Sequence, residues 1–252
     1  MSMRTRLWVL AVGSLGTAVL YLLACRDLPA FGGLWHPYGD RAVHAALTRH
    51  TANTVSSVNF DQRSLDTLGE ESILFGSVLG TVVLLRQTRD EDRLPPRPVR
   101  VAPPVRRYAL LALPVTLLIG LYVVAHGQLS PGGGFQGGVV VATALHLLYI
   151  AVDYRALERI RPVGFYEVAD AAGEAGYLLL GAAALLTGAA FLTNFLPYGT
   201  LNTLASGGTV PLLNAAIGVE VAAGVVVLLA GFLDQAVEIE SEQQDTGAEG
   251  ER

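Results

Sequence analysis

The sequence contains no lysine, so all 17 of its basic residues are arginine. It has a single cysteine, Cys25, which excludes an internal disulfide and leaves cysteine usage silent on compartment. Charged residues make up only 15% of the chain, against about 25% in soluble domains. Together with 52% hydrophobic residues and a mean hydropathy of +0.45, that deficit points to a polytopic membrane protein. The chain carries no metal-ligand spacing, no Gly-x-x-x-x-Gly-Lys phosphate cradle and no nucleophile–base arrangement. Gly132, Gly133 and Gly134 lack the strand–turn–helix setting of a dinucleotide site. These absences argue against an enzyme, a bound cofactor, a metal centre and a nucleic-acid partner. The net charge of −5 comes largely from the tail after Asp234 and says little about partners.

What the chain does have is long apolar runs. A transmembrane helix needs roughly 20 such residues. Six runs qualify: 7–24, 71–85, 108–125, 137–152, 173–195 and 210–233, the second being short. The expected fold is therefore all-α, a polytopic membrane protein with about six transmembrane helices. Arginine placement orients it, because basic residues stay on the cytoplasmic side. Seven arginines lie between residues 85 and 108, three at 155, 159 and 161, and two at 4 and 6. The connections at 127–136 and 196–209 carry no charge. Six spans with both termini inside, in the cell inner membrane, satisfy this pattern; only Arg26, Arg41, Arg49 and Arg63 would then lie outside.

The order of segments suggests four parts: a two-span unit at 1–86, an Arg/Pro-rich cytoplasmic linker at 87–107, a four-span unit at 108–235 and a disordered acidic tail at 236–252. Leu22-Leu23-Ala24-Cys25 has the form of a lipoprotein cleavage site, but the apolar run before it is longer than a signal h-region of about 7–15 residues. A retained helix is the expectation.

One connection stands out. Ser130-Pro131-Gly132-Gly133-Gly134-Phe135-Gln136-Gly137-Gly138 interrupts two apolar runs with residues that disfavour helix and let another backbone come close. Ionisable residues inside the membrane are costly and rare, and so become candidates for function. Glu220 lies ten residues past the start of the sixth run, about 15 Å down a helix. His146 lies nine residues past Gly137, which places it at a similar depth and within reach of a proton-relaying contact with Glu220. Two readings stand for Glu220: an ion-handling group, or a neutral carboxyl packed against backbone or another subunit. For His146 a satisfied core histidine is the alternative. Glu174, at the cytoplasmic start of the fifth run, and Glu70 and Glu71, at the outer start of the second, have a simpler explanation in the helix macrodipole. Asn194 and Asn214 are candidates for polar glue between helices.

The stretch Ala125-His126-Gly127-Gln128-Leu129-Ser130-Pro131-Gly132-Gly133-Gly134-Phe135-Gln136-Gly137-Gly138, with Glu174 and the segment Asn214 to Gly218-Val219-Glu220, closely resembles the MnhB/MrpB subunit family of multisubunit Na+/H+ antiporters, over roughly residues 105–235. Thr51-Ala52-Asn53-Thr54-Val55-Ser56-Ser57-Val58, with Asp61 and Asp66 to Glu70, is similar to the two-span MbhE-like module also found at the C-terminal end of MrpA; Gln62-Arg63-Ser64-Leu65 departs from that pattern. The resemblance implies a fusion of two neighbouring subunits. It further implies partners among the other membrane subunits of an antiporter complex, Na+ and H+ as transported ions, and Glu220, Glu174, His146 and Glu70 as ion-path candidates. Complex I-like and membrane-bound hydrogenase assemblies contain related modules and give the alternative, a structural membrane-arm subunit.

Overall fold

The structure, a computed structural model, describes residues 3–26, 28, 36–85, 101–151 and 163–249. The chain falls into two compact units, Met1–Asp40 and Arg41–Arg252. The first contains α1 (Met3–Arg26) and the start of α2 (Pro37–Thr48). The second holds the rest of α2, then α3 (Thr54–Ser57), a π-helical turn (Val58–Gln62), α4 (Ser64–Leu84), α5 (Pro103–Ala125), α6 (Gly134–Ala151), α7 (Val163–Leu186) and α8 (Val210–Glu249). Among the described residues all regular structure is helical. Five helices are long and apolar enough to cross a membrane, and Gly134–Leu147 is a shorter apolar helix. The protein is a multi-pass, all-α membrane protein.

Helix boundaries differ from the apolar runs wherever polar residues lie inside a helix. α4 starts at Ser64, seven residues before the apolar run, because Asp66 in its first turn suits a helix N-terminus. α7 starts ten residues before the apolar run at 173–195 and ends nine residues before it does. Its first half contains Glu167, Asp170 and Glu174, which lower the local hydropathy without weakening the helix. The apolar residues after Leu186 are not helical, since Gly188 and Leu192 take left-handed backbone angles of 79° and 62°. The acidic tail, expected to be disordered, instead continues α8 as helix to Glu249. Adding residues to an established helix costs far less than nucleating one, and Ala, Glu and Gln are good formers. Most of the 87–107 linker lies outside the described residues, as do residues 152–162 with their three arginines; the linker's last residues already belong to α5, which opens on Pro103 and Pro104.

α8 is the central helix of the second unit and packs against α4, α5, α6 and α7. Tyr177, Leu213, Ile217 and Val221 form its core contact, with Phe60 and Leu192 beside them. Residues 41–85 belong to the same compact unit as residues 101–249, so the proposed 86/87 boundary separates stretches of sequence rather than packed bodies.

Candidate functional site

Three helices bring four carboxyl groups together in the middle of the second unit. Glu71 comes from α4, Asp170 and Glu174 from α7, and Glu220 from α8; Glu220 is fully buried and Glu71 is 1% exposed. Asp170, Gly173, Glu174 and Tyr177 recur at the three- and four-residue spacing that keeps one helix face. α7 can pass α8 at this level only because residue 173 is glycine: a Cβ there would lie 2.5 Å from Glu220 Cβ and 2.8 Å from the Ala216 carbonyl oxygen. One turn deeper, the Asp170 carboxyl occupies the space beside Gly224. Glu71, Asp170 and Glu174 all lie within electrostatic range of Glu220.

The cluster is poorly satisfied. Ser72 Oγ donates to Glu174 Oε1 at 2.8 Å. Among the described residues, Glu71 Oε2, Asp170 Oδ1, Glu174 Oε2 and both oxygens of Glu220 are buried with no hydrogen-bond partner. The ion pairs Arg49–Asp61, at 2.6 Å, and Arg63–Asp66 lie at the approach to α4, outside the cluster. Asp61 is the strongest influence on Arg49 and raises its pKa above the ordinary guanidinium value. A buried carboxylate with no counter-charge costs several kcal/mol. A set of four must therefore take up protons or a cation, and closely spaced acids titrate as a coupled group. Among the described residues no three His, Cys, Asp or Glu side chains converge closely enough to hold a metal ion.

The glycine turn lies above this cluster and is tied in mainly through side-chain amides, although Gln128 Oε1, Thr51 Oγ1 and Ser206 Oγ are buried without a hydrogen-bond partner among the described residues. Gly132 and Gly133 have φ of 132° and 137°, which L side chains rarely adopt. The Gly134 N–H donates to Asn214 Oδ1 at 2.8 Å, while Asn214 Nδ2 donates to Ser56 Oγ and to the Val210 carbonyl, each at 3.0 Å. Asn53 caps α3 and donates through Nδ2 to the carbonyls of Gly127 and Ser130, at 2.7 and 2.8 Å. Gln128 Nε2 donates to the Leu204 carbonyl. The two motifs singled out in the sequence, 51–58 and 125–138, thus meet each other.

The structure sorts the sequence candidates. Glu174 is not at a helix start but twelfth in the 24 residues of α7, so the macrodipole does not account for it. Glu70 is exposed, and its neighbour Glu71 faces inward, in phase with the buried Ser64, Thr67 and Val78 of α4. One residue turns a helix by about 100°, and that phase was the available signal. Asp170 was likewise overlooked as a site residue, although it stands four residues before Glu174. His146 is not brought to Glu220. A Cβ at Gly134 would meet the Asn214 carbonyl, and one at Gly138 would lie 3.0 Å from the Gly218 carbonyl. α6 and α8 therefore run in parallel, with the top of α6 beside the second turn of α8. Extending that register puts His146 about 10 Å deeper than Glu220.

Residues 104–227 match the family described as a domain related to the MnhB subunit of Na+/H+ antiporter. An uncharacterized protein of Methanocaldococcus jannaschii is 31% identical, the alignment covering 83% of this chain and 84% of that one. A Na(+)/H(+) antiporter subunit of Bacillus subtilis is 36% identical over 36% of this chain, which spans 62% of that relative. In solved structures, a chain of the membrane-bound sulfane sulfur reductase, an archaeal respiratory membrane complex, matches with a TM-score of 0.68 and 28% identity, over 92% of this chain and 99% of that one. A chain of the Mrp complex from Dietzia sp. DQ12-45-1b has the same fold, with a TM-score of 0.67 and 22% identity, over 92% of this chain and 26% of that one. With the glycine turn, the Asn214 knot and Glu220 all inside the matched region, residues 104–227 of the chain form a domain of the MnhB family.

Proposed function

We propose that this protein is an integral-membrane subunit of a multisubunit cation/proton antiporter complex in the cell membrane, and that its four buried carboxyls form part of the ion path. In this reading the glycine-turn face is the outer one and both termini are cytoplasmic, as the arginine distribution suggests. The observation that carries the reading is the set of unpartnered carboxyl oxygens on Glu71, Glu174 and Glu220. Acids placed purely for packing would be expected to find hydrogen-bond donors. Acids that exchange protons or Na+ need open coordination. The 51–58 segment, interlocked with the glycine turn, fits a fusion of an MbhE-like module to an MnhB-like one. Its role is to hold α4, and with it Glu71, against α7 and α8. Replacing Glu220 with Gln, which keeps the shape and removes the charge, should abolish most Na+/H+ antiport in everted vesicles while the complex still assembles on a native gel. Unchanged antiport would sink the ion-path role.

The match over 99% of a chain of an archaeal respiratory complex favours a second reading, a membrane-arm subunit of a redox-driven assembly. The two are separated by co-purification: antiporter-like subunits alone support the first, iron–sulfur or flavin subunits the second.

A further inference from the structure

A cavity of about 480 Å³ opens near the glycine-turn face, lined by Arg49, Asp61, Ser64, Leu192, Asn194 and Tyr198. We propose that this cavity is the aqueous mouth through which ions reach the carboxyl cluster, and that Tyr177 is the gate between the two. The inference rests on the ion-path reading above.

The cavity exists because two chain segments stop short of it. α4 begins only at Ser64, after the π-helical turn Val58–Gln62; such turns are frequent at functional sites. On the other side, the chain after α7 folds back along the helix. The Leu192 N–H donates to the Gly181 carbonyl at 3.2 Å, five residues before α7 ends, about 7–8 Å below its tip. Leu192 holds a left-handed φ of 62° to do so, an unusual conformation for a leucine. Ser64 joins the two segments, its Oγ donating to the Leu192 carbonyl at 3.4 Å.

Ser64 is also the link inward. Its carbonyl accepts a hydrogen bond from the Tyr177 hydroxyl at 2.9 Å, and Tyr177 is fully buried. Glu174 follows less than one turn along α7, about 4.5 Å deeper. Tyr177 lies within electrostatic range of Glu71 and Glu174. The order along the bundle is therefore cavity, Ser64, Tyr177, carboxyl cluster. Charge does not bar cations from the mouth, because Arg49 is paired with Asp61 and Arg63 with Asp66. Asp61 adds a buried carboxylate oxygen with no hydrogen-bond partner among the described residues. In the proposed gate the Tyr177 ring swings away from Ser64, giving up that hydrogen bond and part of its packing against Leu213 and Ile217, so that the cavity joins the acids.

The test uses the assembled complex with Cys25→Ser and Thr193→Cys, a cavity-wall position outside the ion-handling set. A membrane-impermeant cationic methanethiosulfonate is applied from each face, labelling is measured by mass, and antiport is assayed. The expected result is labelling from the glycine-turn face alone and a loss of antiport of about tenfold. In the same background Tyr177→Phe should raise Na+-independent proton leak severalfold, and labelling of Cys at position 193 should suppress that leak. Failure of the reagent to label, or complete labelling with unchanged antiport, overturns the proposal. Glu220→Gln in the same preparation separates the failures. If it loses antiport while labelling has no effect, only the entrance is wrong; if it retains antiport, the ion-path reading falls and the entrance falls with it.

Discussion

The glycine turn and the carboxyl cluster are two polar regions buried in one helical unit, and they differ in which polar atoms are satisfied. Around the turn, Asn53, Asn194 and Asn214 each both donate and accept, mostly to backbone groups freed by irregular structure. In the cluster, five buried carboxyl oxygens find no donor among the described residues. Satisfied amides stiffen a fold, because every alternative arrangement leaves a buried group unpaired. Unsatisfied acids do nothing for stability and persist where something else, a proton or a cation, completes them. The two regions thus differ in degree: the asparagine amides at the turn are paired, with Gln128 Oε1, Thr51 Oγ1 and Ser206 Oγ as exceptions, whereas the unpaired groups of the cluster are all acids.

Substitutions can break that contrast, and their effects should differ in kind. The largest loss of assembly is expected from Gly134→Val, since even a Cβ would collide with the Asn214 carbonyl; overpacking of this sort costs about 3 kcal/mol or more. No assembled complex should appear on a native gel. Asn214→Leu comes next. It strands the Gly134 N–H and the Ser56 hydroxyl, worth about 2–3 kcal/mol, and should lower the thermal midpoint of the purified complex. In the cluster the order inverts, with transport lost and stability kept. Glu71→Gln should reduce antiport about tenfold, whereas Glu70→Gln, one residue away on the exposed face, should stay within about twofold. Equal effects of the two would remove the inward-facing assignment of Glu71. The smallest effect is expected from Arg49→Lys. It keeps a positive charge beside the buried Asp61 carboxylate, and the position is itself partly exposed, so the cost is about 1 kcal/mol and shows only as a small shift in thermal midpoint.

Much of this was legible in the sequence, and the misses have physical causes. The apolar runs located the membrane helices, and within the glycine run a Cβ at Gly134 would collide with the Asn214 carbonyl oxygen of α8. Hydropathy failed where helices carry acids on one face, moving the starts of α4 and α7 and disguising Glu174 as a terminal residue. Counting depth from apolar boundaries also failed for His146, because α6 begins beside the second turn of α8 rather than level with its first residue. The tail extends α8 because an existing helix supplies the nucleus that an isolated acidic segment lacks.

The sequence by itself determined the class of the protein, its family and the presence of a membrane-depth carboxylate at Glu220, since composition and local motif do not depend on how helices pack. Only the tertiary structure decided which other acids join Glu220, because that depends on helix phase and on the stagger between helices. A shift of one residue on α4 separates Glu71 in the cluster from Glu70 outside it, and the absent side chain of Gly173 lets α7 deliver Glu174 to the same place.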